Sequence, residues 1–247
     1  MAQKSMNELL KWGIENSTSS PSTDTNTDPA NSSAAPTSSL NPELLAQLFG
    51  GPSEADLMRA AVEHIQSSDP EITLESRLTA FDNLEQLVES LDNANNLSKL
   101  GLWTPLLDLL AHDEAQIRLM AAWCVGTAVQ NNEPCQERLV ALGGVERLVG
   151  MALGERAVAL EESSNGDDAA EKKQNGEGEG RREEDKEVRR KAVYALSSAI
   201  RNYQPAADVC TSELRKKGEQ VDDKIDATDM EAINGLIDSL KQKAANA

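Results

Sequence analysis

The chain repeats itself with a helical period in the low forties, and no other feature restricts its fold as tightly. The run Arg77, Leu78, Ala80, Leu84, Val88 is matched by Arg118, Leu119, Ala121, Val125, Val129 at a shift of 41. Gly101, Trp103, Leu106, Leu107 are matched by Gly143, Val145, Leu148, Val149 at a shift of 42. A third copy, EVRRKAVYALSSAIRNYQP, places Arg189, Ala192, Tyr194, Asn202 and Pro205 on Arg118, Ala121, Trp123, Asn131 and Pro134 at a shift of 71. The surplus of 29 is the length added by a Glu/Gly/Asn/Lys tract around 154–186. Units of this size bury their apolar faces only against neighbouring units, which defines the HEAT and armadillo class. The string LVALGGVERLVGMAL favours armadillo, because Gly143-Gly144 lets the chain turn sharply between a short and a longer helix. The expected fold is all-α: a short, armadillo-like, right-handed helical solenoid with a disordered N-terminal tether.

The segments around the repeats complete this picture. Residues 6–14 form a short apolar island with Leu9, Leu10, Trp12 and Ile14, within an N-terminal motif at 1–15. Residues 16–39 contain no Lys, Arg, aromatic, Leu, Ile or Val. Such a stretch cannot bury enough apolar area to offset its ordering entropy, so it reads as a disordered linker. An apolar island on a flexible tether reads as a linear motif that docks on a partner; the alternative is a stray helix folded back on the domain. The folded domain is expected over 40–247. Asn41-Pro42 starts a helix with Leu44, Leu45 and Leu48 on one face, and Gly50-Gly51 ends it. Ser53 begins a capping box for a second helix striped by Leu57, Met58, Ala61, Val62 and Ile65. A longer helix is expected from Thr73 to about Asp92, striped by Leu78, Phe81, Leu84, Leu87, Val88 and Leu91. A closing helix from about Asp226 to Lys241 carries Met230, Ile233, Leu236, Ile237 and Leu240 and covers the last repeat.

Composition excludes several function classes. With 42 acidic against 24 basic side chains the formal charge is −18, which opposes binding to nucleic acid or an anionic membrane. Between Glu161 and Glu187 eleven acids face five bases, the signature of a solvated loop. Cys124, Cys135 and Cys210 are odd in number and lack a CxxC pair, so neither a disulfide framework nor a zinc site is expected. Cys124, between Trp123 and Val125 in a helix of core-type residues, reads as a buried thiol rather than a nucleophile. His64 and His112 have no neighbouring ligand cluster, and no P-loop, GxSxG, HExxH or dinucleotide fingerprint occurs. No catalytic site, cofactor or metal is therefore expected. Without a signal peptide or membrane span, the expected address is cytoplasmic.

What remains for function is the polar side of the repeat helices. Armadillo units line a concave groove with their third helices, and the amides Asn83, Asn93, Asn95, Asn96, Asn131, Asn132 and Asn202, with Arg201 beside the last, are assigned there. Carboxamides both donate and accept, and cost less to desolvate than charges. Helix capping is an equally open reading for DNANN and VQNN. Trp103 and Trp123 are read as core positions.

The strings MNELLKWGIENS (6–17), LNPELLAQLFGGPSEADLM (40–58), LTAFDNLEQLVESLDNANNL (78–97), LGLWTPLLDLL (100–110), MAAWCVGTAVQNN (120–132) and RRKAVYALSSAIRNYQP (189–205) resemble the fungal armadillo-type nucleotide-exchange factors of seventy-kilodalton heat-shock chaperones, the family of the animal Hsp-seventy-binding protein. The resemblance implies a co-chaperone that binds the ATPase domain of a cytosolic DnaK-type chaperone and accelerates ADP release; a monomer is expected. It also implies that Leu9, Leu10, Trp12 and Ile14 occupy the chaperone's peptide groove and help expel clients. A rival reading is an armadillo scaffold for a linear peptide, but such grooves carry Trp and Asn regularly over many more units.

Overall fold

The computed structural model describes residues 51–156, 183–222 and 224–246. The chain divides into two compact units at Pro52, and the elements below all belong to Ser53–Ala247. The N-terminal motif, the linker, the helix expected from Pro42 and the central part of the acidic tract lie outside the described residues.

Among the described residues every regular element is helical. They are α1 (Glu54–Gln66), α2 (Leu74–Val88), α3 (Leu91–Lys99), α4 (Trp103–Asp108) running into a 3-10 turn (Leu109–Ala111), α5 (Ala115–Ala128), α6 (Glu133–Ala141), α7 (Gly144–Ala152), α8 (Lys186–Ile200), α9 (Gln204–Lys216) and α10 (Met230–Ala245). Side-chain caps set several boundaries: Ser53, Thr73, Asp185 and Asp229 each accept a hydrogen bond from the first turn that follows. Gly143 precedes α7 at φ +68° and Gly101 precedes α4 at φ +70°, so the repeated glycine supplies a left-handed turn in both units.

The elements pack in the order the period demands. Helices α2, α5, α8 and α10 lie side by side in sequence, while α3, α6 and α9 form a second row in which each touches the next. Hydrogen bonds also join neighbouring helices at separations close to the period. Thr127 Oγ1 donates to Glu85 at 2.8 Å, Arg147 Nη1 to the Leu107 carbonyl at 3.0 Å, and the Cys135 thiol to Asn95 at 3.6 Å. The core is one continuous cluster, with Phe81, Leu84, Trp103, Leu110, Ile117, Leu139, Leu148 and Leu196 almost wholly excluded from water.

The repeated arginine has a structural task in every unit. Arg77 Nη2 donates to the Ser67 carbonyl at 2.6 Å, Arg118 Nη1 to the His112 and Asp113 carbonyls at 2.7 and 2.8 Å, and Arg189 Nη2 to the Lys243 carbonyl at 3.0 Å. Each guanidinium thus satisfies backbone carbonyls in connections or at a helix end, which intrahelical bonding leaves open.

Four expectations need correction. The helix expected from Thr73 to Asp92 is two helices, because Ser90 is extended (ψ 126°) at the N-cap position of α3; Leu91, assigned to the apolar stripe, is 56% exposed. Leu57, placed on the stripe of α1, is 42% exposed. The closing helix starts at Met230, after Asp229, rather than near Asp226. Helix α9, not anticipated from the sequence, adds a further second-row helix with Pro205 in its opening turn, as Pro134 is in α6.

The edges of the acidic tract are built into the domain. Glu155 pairs with Glu183 in an isolated antiparallel bridge, and the Glu184 amide donates to the Gly154 carbonyl at 3.0 Å. The Glu184 carboxylate is buried in a two-bond pair with Arg118, at 2.6 Å (Nη2) and 2.8 Å (Nε). Lys217 reaches Glu155 at 2.6 Å.

Candidate functional site

A band of polar and aromatic side chains runs across the four side-by-side helices. On α2, Glu85 accepts from Thr127 of α5. One turn back on α5 the ring of Trp123 lies half exposed beneath Lys191 of α8, whose ammonium is 3.5 Å from the ring centroid. Tyr194, one turn on from Lys191, is 5.6 Å from the same ammonium. Its ring rests on Gly126, where an added Cβ would stand 2.6 Å from Tyr194 Cε1. Beyond the end of α8, Arg201 donates to Ser197 at 3.1 Å and to Asn234 of α10 at 2.7 Å. A groove of about 430 Å³ opens beside this band, with Val88, Ala128 and Leu91 providing apolar surface and Glu85, Glu89, Gln130 and Asn131 polar surface.

The electrostatics of the band are uneven. Burial pulls the Lys191 ammonium below its ordinary pKa, while the Glu85 carboxylate acts in the opposite direction. Lys191 forms no ion pair or hydrogen bond among the described residues, so the indole face is its principal partner there.

The sequence-assigned residues do not share one surface. Asn83 is exposed on α2 and lines a separate groove between α1 and α2, together with Leu57, His64 and Gln86. Asn93, Asn95 and Asn96 lie on α3, in the second row, and not on α2, α5 or α8. Asn93 is buried, and its amide nitrogen donates to Glu54 and to the Leu87 carbonyl, both at 3.0 Å. Asn95 and Asn96 are half-buried. Asn131 and Asn202 are exposed at φ 51° and 56°, in the left-handed conformation that ends α5 and α8. Asn132 is buried at the start of α6. The Asn202 amide donates to the Ala227 carbonyl at 3.0 Å, and Arg201 bridges α8 to α10. For Asn131 and Asn202 the left-handed backbone fits the capping alternative, and both residues remain exposed. Leu9, Leu10, Trp12 and Ile14 lie outside the described residues.

Sequence reasoning missed Trp123, Lys191 and Tyr194. Trp103 is in the core at 1% exposure, whereas Trp123 is on the face. The signal available was the repeat itself. Tyr194 takes the register of Trp123, and Lys191 takes that of the buried Met120, a change from apolar to cationic at one position.

Among the described residues no group of His, Cys, Asp and Glu has the arrangement of a metal site. Burial pushes the Cys135 and Cys210 thiols up to about 12 and raises Cys124 further. Thiols so protonated are poor nucleophiles. No described helix is long and apolar enough to cross a membrane. The band presents polar and aromatic side chains on a surface suited to binding.

Comparison with known proteins points to the same kind of activity. Residues 6–97 match the family described as "Nucleotide exchange factor Fes1". The chain is 50% identical over 248 residues to "Hsp70 nucleotide exchange factor FES1" of Gibberella zeae, covering the whole of both chains. It is 45% identical to "Hsp70 nucleotide exchange factor fes-1" of Neurospora crassa, covering 99% of each, and 41% identical to the FES1 protein of Coccidioides immitis, covering 96% and 97%.

Proposed function

The chain belongs to the Fes1 family of Hsp70 nucleotide exchange factors, and from that premise we propose that it binds the ATPase domain of a cytosolic Hsp70 chaperone and speeds release of ADP. The observation that carries this reading is 50% identity to such a factor along the entire length of both chains. The physics is linkage. A partner that prefers the open nucleotide lobe weakens ADP binding, and ADP weakens the partner by the same factor. This chain then supplies no reacting group, only a surface stiff enough to hold one lobe open while ATP enters and client protein leaves.

An armadillo-like solenoid fits that role. Supporting it are the two rows of helices and the hydrogen bonds between neighbouring helices at separations of 40 to 42 residues, because stacked repeats bring residues about one period apart into contact. Asn83, Asn95, Asn96, Asn131, Arg201 and Asn202 present polar groups toward solvent or a partner, while Asn93 and Asn132 are buried and only Asn93 has its amide bonded within the domain. The molecule acts as a monomer in the cytoplasm, and its N-terminal motif, through Leu9, Leu10, Trp12 and Ile14, engages the chaperone's peptide groove. Deleting residues 1–15 leaves ADP release intact and slows client release; client release at the full rate would refute that role.

The main test is stopped-flow release of a fluorescent ADP from a purified cytosolic Hsp70, with and without this protein. Acceleration that saturates with concentration supports the proposal. Binding without acceleration would leave an adaptor that lacks the exchange step, and no binding would favour a peptide scaffold.

A further inference from the structure

Lys191 stands out against the charge of the chain. Acidic side chains outnumber basic ones by 42 to 24, yet this half-buried lysine has no carboxylate partner among the described residues and lies on an aromatic ring instead. The other described cations of α8 and its end are engaged: Lys186 donates to the Ala245 carbonyl, Arg189 to backbone carbonyls and Glu183, Arg190 to Glu187, and Arg201 to Ser197 and Asn234. Glu187, the carboxylate one turn before Lys191, is held by Arg190 at 3.1 Å, and Glu85 is held by Thr127. Burial has therefore removed part of the water around a cation that Glu85 and Glu187 stabilise only through space, without an ion pair to either. A repeat protein that needed only packing here has a solution in its own sequence, Met120 at the equivalent place in the preceding unit, 7% exposed.

We infer that Lys191, seated on Trp123 and flanked by Tyr194, is the centre of the surface that grips the ATPase domain, where it receives a carboxylate of that partner. The inference rests on the exchange-factor reading above and specifies its contact. Tyr and Trp supply large, stiff contact area, and charged groups desolvated at the centre of an interface dominate its energetics. The ring of Trp123 holds the ammonium raised in place, so little rotamer entropy is lost on docking. Glu85 and Glu89, over the α2 side of the band, make the face bipolar, and the complementary partner surface carries its anion over α8 and a cation over α2.

The test titrates the full chain against the ATPase domain of a cytosolic Hsp70 without nucleotide, by calorimetry at two salt concentrations. The variants are Lys191→Met, Lys191→Arg and Trp123→Phe, with thermal melts of each as the fold control. Methionine is the residue that the preceding repeat packs at this position, so Lys191→Met is the variant least prone to unfold. The expected result is roughly tenfold or greater weakening by Lys191→Met with a flatter salt dependence, within the range for a desolvated charge pair, and recovery to within about threefold by Lys191→Arg, which keeps the charge. Lys191→Met binding as tightly as the parent, or weakening with an unchanged salt dependence, overturns the inference while the exchange-factor reading stands. Failure of the parent chain itself to bind refutes both.

Discussion

Replacement of Glu184 by alanine tests whether the border of the acidic tract is part of the domain. The side chains of Glu184 and Arg118 are 0% and 5% exposed, and two hydrogen bonds of 2.6 and 2.8 Å join them. Glu184→Ala leaves a buried guanidinium with its Nη1 bonds to the His112 and Asp113 carbonyls but without its counter-ion. Removing one partner of such a pair costs about 3–5 kcal/mol, and the surviving carbonyl bonds point to the lower end. For a domain of this size each kcal/mol lowers Tm by about 2–4 °C, so a fall of roughly 6–12 °C is expected. The neighbouring residue gives an internal control. Glu183 pairs with Arg189 at 3.3 Å, but its side chain is 71% exposed; Glu183→Ala should cost no more than about 1 kcal/mol, as exposed pairs do. Urea unfolding followed by circular dichroism at 222 nm measures both. Replacing the pair with Arg118→Met and Glu184→Leu should lose less than Glu184→Ala alone, because no uncompensated charge remains. A loss below about 1 kcal/mol for Glu184→Ala, or one equal to that of Glu183→Ala, would refute the reasoning from burial.

Three further outcomes are expected. Gly126→Ala should destabilise by about 1–3 kcal/mol, because its Cβ would stand 2.6 Å from Tyr194 Cε1 and 3.0 Å from the Ala195 backbone, forcing α5 and α8 apart; an unchanged urea midpoint would contradict this packing. Deleting 157–182 and closing the gap with a short Gly-Ser link should leave both Tm and ADP release nearly unchanged, since the Glu155–Glu183 bridge already holds the two ends together; a large loss of either would show that the tract belongs to the core. Cys135 and Cys210, with thiols pushed up to about 12 by burial, and Cys124 should resist a thiol reagent at pH 8 until urea unfolds the chain. Because these thiols ionise more readily when unfolded, stability should fall as pH rises above about 9, by up to about 1.4 kcal/mol per thiol per pH unit; labelling at the rate of a free thiol in the native state would contradict their burial.

Much of the domain was legible because a repeat states its contacts twice. The shift of 41 to 42 residues marked out the stacked units, and the hydrogen bonds from Thr127 to Glu85 and from Arg147 to Leu107 join residues 42 and 40 positions apart. Ser53 and the Gly101–Gly143 pair marked boundaries through local chemistry, which depends only on adjacent residues. The break at Ser90 was not legible, because apolar spacing continued through it to Leu91. Helix α9 was missed for a related reason: its partners on α6 and α7, rather than its own periodicity, give it a place.

The candidate site divides along the same line. The sequence by itself determined an all-helical repeat, a resemblance to exchange factors, an acidic surface and the residue types available for binding, since these depend on composition, order and period. Only the tertiary structure decided which of those residues face a partner. It put Asn93 inside with its amide bonds used, brought Glu184 across 66 residues to Arg118, and laid Lys191 on Trp123. The physical reason is that burial and pairing belong to contacts between units. A side chain on one helix cannot register whether the next helix will supply a carboxylate, a ring or water until the two have packed.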